Sequence, residues 1–196
     1  MARSDLSQYL VHLTKGNTFK NTTPADVLFK ILKDKRLIGS TTETGFICGS
    51  TPAVCFQDAP LLSVGQNVWY EDRKREQEDQ QKIRYNACGL MFRKRFVYGK
   101  GGRPVIYDRT EEAKSYIKES DWWRIVKLDL SDSKNIVDWT HEREWRAPGN
   151  LDFELENVAI IVPNDTYYRT FVELCLASDI KILEKINGIV NFSWIY

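Results

Sequence analysis

The run Val158-Ala159-Ile160-Ile161-Val162 constrains the fold more than any other part of this chain. Five apolar residues, stopped at once by Pro163-Asn164-Asp165, read as a buried strand. Shorter pieces of the same kind recur along the sequence. Tyr9-Leu10-Val11-His12-Leu13-Thr14 reads as a first strand, and Ala53-Val54-Cys55-Phe56 as a buried one closed by Gln57-Asp58-Ala59-Pro60. Ala87 to Phe92, Arg103 to Tyr107, Trp122 to Leu128 and Ile189 to Tyr196 add further strands, and Gly99-Lys100-Gly101-Gly102 reads as a tight basic hairpin turn.

Helices are few. Thr23-Pro24-Ala25-Asp26 is a helix start, with a threonine cap, proline in the first turn and an early acid. Val27, Leu28, Ile31 and Leu32 then keep helical spacing until Arg36-Leu37-Ile38-Gly39. Short helices are expected from Glu111 to Glu119 and from Tyr167 to Ala177. The densely charged stretch Glu71 to Arg84 reads as a solvated helix or mobile loop. Many short strands with few helices predict an α+β fold of two small, mostly antiparallel sheets forming a cleft. With 196 residues, no internal repeat and no evident boundary, the expectation is a single domain over residues 1–196.

The formal net charge is +1, from 28 basic and 27 acidic residues, so bulk charge cannot make this a polyanion binder. A local basic patch still could. No window suits a membrane span, and the start Met1-Ala2-Arg3-Ser4-Asp5 lacks the apolar core of a secretory signal. The expectation is a cytoplasmic protein with no membrane partner. Cys48, Cys55, Cys88 and Cys175 form no CxxC pair and there are two histidines, so free thiols and no metal site are expected.

Chemistry concentrates in Asp138-Trp139-Thr140-His141-Glu142-Arg143-Glu144-Trp145-Arg146. As one extended strand, it puts Glu142, Glu144 and Arg146 on one face and His141, Arg143 and Trp145 on the other. Trp139 and Trp145 bracket the acids and imply partial burial, where carboxylates are costly unless used or paired. Departure through an oxocarbenium-like sugar cation needs one carboxylate near the ribose, and often a second acid for the acceptor. The plain alternative is a strand edge whose acids pair with Arg143 or Arg146. His12 and Thr14, on the first strand, suit a ribose hydroxyl. There is no Walker loop, no GxGxxG opening a helix and no GxSxG elbow, and Cys55 between Val54 and Phe56 reads as a core thiol.

The order of these motifs resembles the ADP-ribosyltransferase fold. More narrowly, it resembles the AbiGi-type abortive-infection proteins and DarT-like transferases. The matching strings are His12-Leu13-Thr14, Arg36-Leu37-Ile38-Gly39-Ser40, Val54-Cys55-Phe56-Gln57-Asp58-Ala59-Pro60-Leu61, Gly89-Leu90-Met91-Phe92, Arg103-Pro104-Val105-Ile106-Tyr107 and Glu142-Arg143-Glu144-Trp145-Arg146. The resemblance implies NAD-dependent ADP-ribosyl transfer by a toxin or anti-phage defence effector, with a neutralising antitoxin as an expected partner. It implies that His12 holds an NAD ribose hydroxyl and that Thr14 helps to position nicotinamide. Glu144 would stabilise the departing cation, and Glu142 would orient or deprotonate the acceptor. Phe56, Tyr70 and Tyr85 are candidates to stack on nicotinamide.

For the acceptor, Arg93, Lys94, Arg95, Lys100 and Arg103, interleaved with Phe92, Phe96 and Tyr98, suit a single-stranded nucleic acid, RNA or DNA, with cations on phosphates, rings for base stacking and Arg143 beside the acids as a further contact. Two rival readings stand beside the transferase. One is a non-catalytic antitoxin or nucleic-acid-binding partner with the same fold, favoured if Arg143 or Arg146 clamps Glu144. The other is an NAD glycohydrolase.

Overall fold

The computed structural model describes residues 5–14, 16, 22–77 and 86–195. The chain is mixed α+β. In chain order it runs β1 (Tyr9–Thr14), α1 (Pro24–Asp34), β2 (Arg36–Leu37), β3 (Ala53–Gln57), α2 (Leu61–Gln77), β4 (Cys88–Arg93) and α3 (Lys94–Gly99). Then follow β5 (Arg103–Pro104), β6 (Ile106–Asp108), α4 (Thr110–Tyr116), β7 (Ile125–Lys127) and β8 (Glu144–Pro148). The last elements are β9 (Leu151–Asp152), β10 (Val158–Val162), α5 (Asp165–Leu176), α6 (Ile182–Lys185) and β11 (Ile189–Asn191). These elements form two compact units, each assembled from separate stretches of sequence.

The first unit gathers residues up to Arg36, Ala59–Arg93 and Phe153 onward. Its ladder is β1–β4–β10–β11, antiparallel except for the parallel β10–β11 pair. The apolar run that opened the sequence argument is β10, with Val158, Ile160 and Ile161 fully buried. Alternation divides the ladder's side chains between its faces. Val11, Met91 and Ile161 join Ala59, Val64 of α2 and Phe192 in one cluster. Leu10, Leu90, Phe92 and Ile160 take the opposite alternation, with α1 lying against β1 and β4, and α5 against β10. The start of α1 bears the threonine cap expected there, and Asp26 completes it as a capping box: Thr23 Oγ1 accepts from the Asp26 amide, and the Thr23 amide donates to Asp26. Lys35, left-handed at φ 51°, ends the helix.

The second unit comprises Leu37–Asp58 and Lys94–Asp152. Its ladder is β3–β8–β5, antiparallel throughout, beside the parallel pair β6–β7. Ile47, Ala53 and Trp123 form a small core.

Several sequence expectations change. α2 begins at Leu61, ahead of the charged stretch, because Val64 and Val68 bury one helical face; residues 78–84 lie outside those described. Lys94 to Gly102 does not form a strand and hairpin turn. Lys94–Gly99 is a helix that buries Val97, and the glycines close its end, with Gly101 at φ 90°. The expected Arg103 strand divides into β5 and β6. Only Ile125–Lys127 of the Trp122 run is extended, since Glu119–Arg124 winds into a 3-10 turn and Trp122 Nε1 donates to the Ile117 carbonyl at 3.1 Å. The terminal strand stops at Asn191, whose side chain caps a 3-10 turn over Phe192–Trp194. No helix among the described residues is long and apolar enough to cross a membrane.

Candidate functional site

The acidic string does not form one strand. Asp138 accepts from the Thr140 amide and hydroxyl at 2.9 and 2.7 Å, a local turn that starts a 3-10 helix over Thr140–Glu142. Those bonds hold the Asp138 carboxyl below its ordinary range. Arg143 then adopts a left-handed conformation at φ 48°, and extended structure begins only at Glu144. The expected common face of Glu142 and Glu144 is therefore corrected, because the turn and the Arg143 kink break the alternation. Glu142 is half-buried on the turn, Arg143 is exposed, and Glu144 enters β8.

Within β8, Glu144 and Arg146 share a face and form a bidentate pair. Arg146 Nε donates to Glu144 Oε1 at 2.7 Å, and an η nitrogen reaches Oε2 at 3.3 Å. They are 7% and 3% exposed. The remaining guanidinium donors meet the carbonyls of Trp123, Ile125 and Phe46 at 2.8, 3.1 and 3.3 Å. All five N–H groups of the guanidinium thus have acceptors. Burial opposes the charged form of Arg146, but Glu144 and Cys55 together outweigh it and move the guanidinium above its ordinary value.

Cys55 and Gln57 lie opposite Arg146 and Glu144 in register. Burial, and then the Glu144 charge, push the Cys55 thiol strongly up, so it stays a neutral thiol. The Glu144 backbone is fixed as well. Its amide donates to the Tyr107 hydroxyl at 2.8 Å, and its carbonyl accepts from the Val105 amide at 3.0 Å. Burial raises the Tyr107 phenol against the opposing effect of that hydrogen bond.

A second polar group occupies the other alternation of the same ladder. Trp145 Nε1 donates to Asp58 Oδ2 at 3.1 Å. Lys94 Nζ lies 2.8 Å from both Asp58 oxygens and 5.7 Å from the Trp145 ring centre. Asp58 is 8% exposed. The sequence reading assigned Asp58 and Tyr107 no role. The available signal was an acid directly after a buried strand, followed by proline, and a tyrosine closing an apolar run.

The residues expected to hold NAD are placed less favourably than the resemblance implies. His12 is half-buried on β1, opposite Leu90. Thr14 is buried, and its hydroxyl donates to the Cys88 carbonyl at 3.0 Å, inside the β1–β4 ladder. Phe56 is 2% exposed, so its ring has no face to offer nicotinamide. Tyr70 on α2 is exposed, while Tyr85 lies outside the described residues. A nicotinamide ribose needs an open carboxylate and a stacking ring; with Glu144 paired and Phe56 enclosed, the assigned set does not fit it. His12 and Thr14 belong to the first unit, Phe56 and Glu144 to the second.

The basic cluster divides similarly. Arg93 ends β4 with its guanidinium 5.7 Å from the Tyr9 ring centre. Arg95 is exposed on α3, and Lys100, also exposed, sits 5.6 Å from the Phe96 ring centre. Arg103 lies over the Tyr98 ring at 3.9 Å. No protein-family model, curated protein or solved structure matches this chain.

Proposed function

We propose that this chain is a nucleic-acid-binding module with an ADP-ribosyltransferase-like fold, in which the late-strand acid serves the fold and not the transfer reaction. The buried bidentate Glu144–Arg146 pair carries this reading. A carboxylate that stabilises a departing sugar cation must present an oxygen to the ribose as positive charge develops. Here a guanidinium engages both oxygens, and opening the pair would strand two charges in a buried setting. The exposed cations Arg95 and Lys100, set among aromatic rings, support a nucleic-acid partner. A non-catalytic antitoxin is one protein of this kind.

The NAD-dependent transferase, modifying RNA or DNA as a toxin or defence effector, is the second reading. One observation favours it: Glu142 sits on the turn before β8, half-buried and outside the pair. Purified protein incubated with labelled NAD and, separately, RNA and single-stranded DNA distinguishes the two. Retention of nucleic acid with no NAD consumed is the expected result. Label transferred to an acceptor, and lost in Glu142→Gln, would overturn the non-catalytic reading; free ADP-ribose alone would indicate a glycohydrolase.

A further inference from the structure

We infer that the end of α3 is a stacking platform for one base of a single-stranded nucleic acid, centred on Tyr98. The inference rests on the nucleic-acid-binding reading and specifies its ligand. From Arg93 to Arg103 the sequence contains no acidic residue. The structure assigns its cations different tasks. Lys94 is committed to Asp58. Arg103 is held in place, because one η nitrogen donates to the Tyr98 and Gly102 carbonyls at 3.0 and 2.7 Å while its guanidinium carbon sits over the Tyr98 ring. Arg95 and Lys100 remain exposed, on either side of Tyr98 in sequence.

Tyr98 is 54% exposed although Arg103 covers one of its faces. With one face against Arg103, the opposite face is the one a base would take. A cation behind an aromatic ring draws electron density from it and improves stacking of an electron-rich purine in front. The Arg103 guanidinium already seated against the ring reduces the ordering needed when a base arrives.

The surrounding backbone also suits a phosphate strand. Carbonyl groups at a helix end repel anions, but here they are occupied. Phe96 accepts from the Lys100 amide, Val97 from Lys100 and Gly102, and Tyr98 from Gly101 and Arg103. Gly99, the last residue of α3, is glycine without a demand from the fold. Its φ lies outside the left-handed region, and an added Cβ would meet nothing within 4 Å. An exposed glycine of that kind, beside a stacking ring and between two cations, allows a sugar-phosphate backbone to approach closely. Duplex bases are already stacked on each other, so the platform selects single strands.

Fluorescence anisotropy with an oligodeoxyadenylate of roughly 12 nucleotides, and with the same sequence as a duplex, tests this. The single strand should bind more tightly. Tyr98→Ala should weaken it by about 10-fold and Tyr98→Phe should restore it, both with little change for the duplex. Gly99→Leu should keep the wild-type unfolding curve yet weaken single-strand binding. Equal binding of both forms, with Tyr98→Ala and Gly99→Leu silent, overturns the platform; the broader reading then stands if Arg95→Glu with Lys100→Glu still abolishes binding. Failure of every nucleic acid to bind overturns both.

Discussion

Arg146 and Arg103 face each other across the β8–β5 rungs, and the fold treats them in opposite ways. Arg146 is enclosed, with each of its donors on a carboxylate or a carbonyl. Arg103 is half-buried, sits over a tyrosine ring and donates to two carbonyls of its own turn. The residue type and the rung are shared, so the difference comes from the neighbours. Arg146 has Glu144 two residues earlier on the same face, where alternation makes an encounter unavoidable. Arg103 has a glycine-closed helix end and no acid nearby in sequence. The first arrangement encloses a carboxylate with its cation, whereas the second leaves positive charge and a ring at the surface.

The contrast breaks most severely at Arg146. Arg146→Met would leave Glu144 buried without its guanidinium and take one donor from each of three carbonyls. It should cost about 5 kcal/mol in urea unfolding, and Glu144→Gln about 3 kcal/mol. A wild-type midpoint in Glu144→Gln would mean that the pair does not hold the fold and would return that acid to chemistry. Asp58→Ala, which unpairs Lys94 and the Trp145 indole, should cost about 1–3 kcal/mol by the same measurement. At Arg103 the effect should be small: Arg103→Met should lower stability by about 1 kcal/mol or less, through loss of the stack on Tyr98. A loss as large as that at Arg146 would remove the contrast.

Alkaline pH should sharpen the picture of a sealed interior, with a moderate effect. Burial pushes Cys88 up to about 11 from 9.0, and Cys55 further still. Their neutral forms are favoured in the folded chain, so this contribution is complete below pH 9 and fades as pH climbs from there through the folded values. The slope should approach about 1.4 kcal/mol per pH unit for each thiol. Unfolding curves at pH 8 and pH 10 should show it, and Cys55→Ala should reduce it.

Most strands that bury a face were legible in the sequence. β1, β3 and β10 fall where β-branched and aromatic residues concentrate, and α1 where the capping box stands. Segments governed by short-range side-chain bonds were not. Asp138 and Thr140 turn the chain into a 3-10 helix, and Arg143 kinks it, which hydrophobic alternation cannot reveal. α3 was concealed because its cations and rings alternate as well on a strand as on a helix; the glycines after it were the better signal. At the candidate site, the sequence located Glu144 and offered Arg146 as a partner. It could not decide between clamp and catalyst, because that depends on Trp123, Ile125 and Phe46 carbonyls brought from distant segments.

The bond from Arg146 to the Phe46 carbonyl joins residues 100 apart in the chain. Loop closure of that length costs several times RT before any contact forms, and contacts so distant slow folding. By that argument the guanidinium gains its Phe46 acceptor later than its Trp123 and Ile125 acceptors, which lie 23 and 21 residues away. During synthesis, Phe46 and the β3 strand leave the ribosome well before their anchor exists, and an unpaired β3 edge is open to aggregation. A residue that pairs a buried acid in the finished unit thus also ties that unit's last contacts to the far end of its sequence.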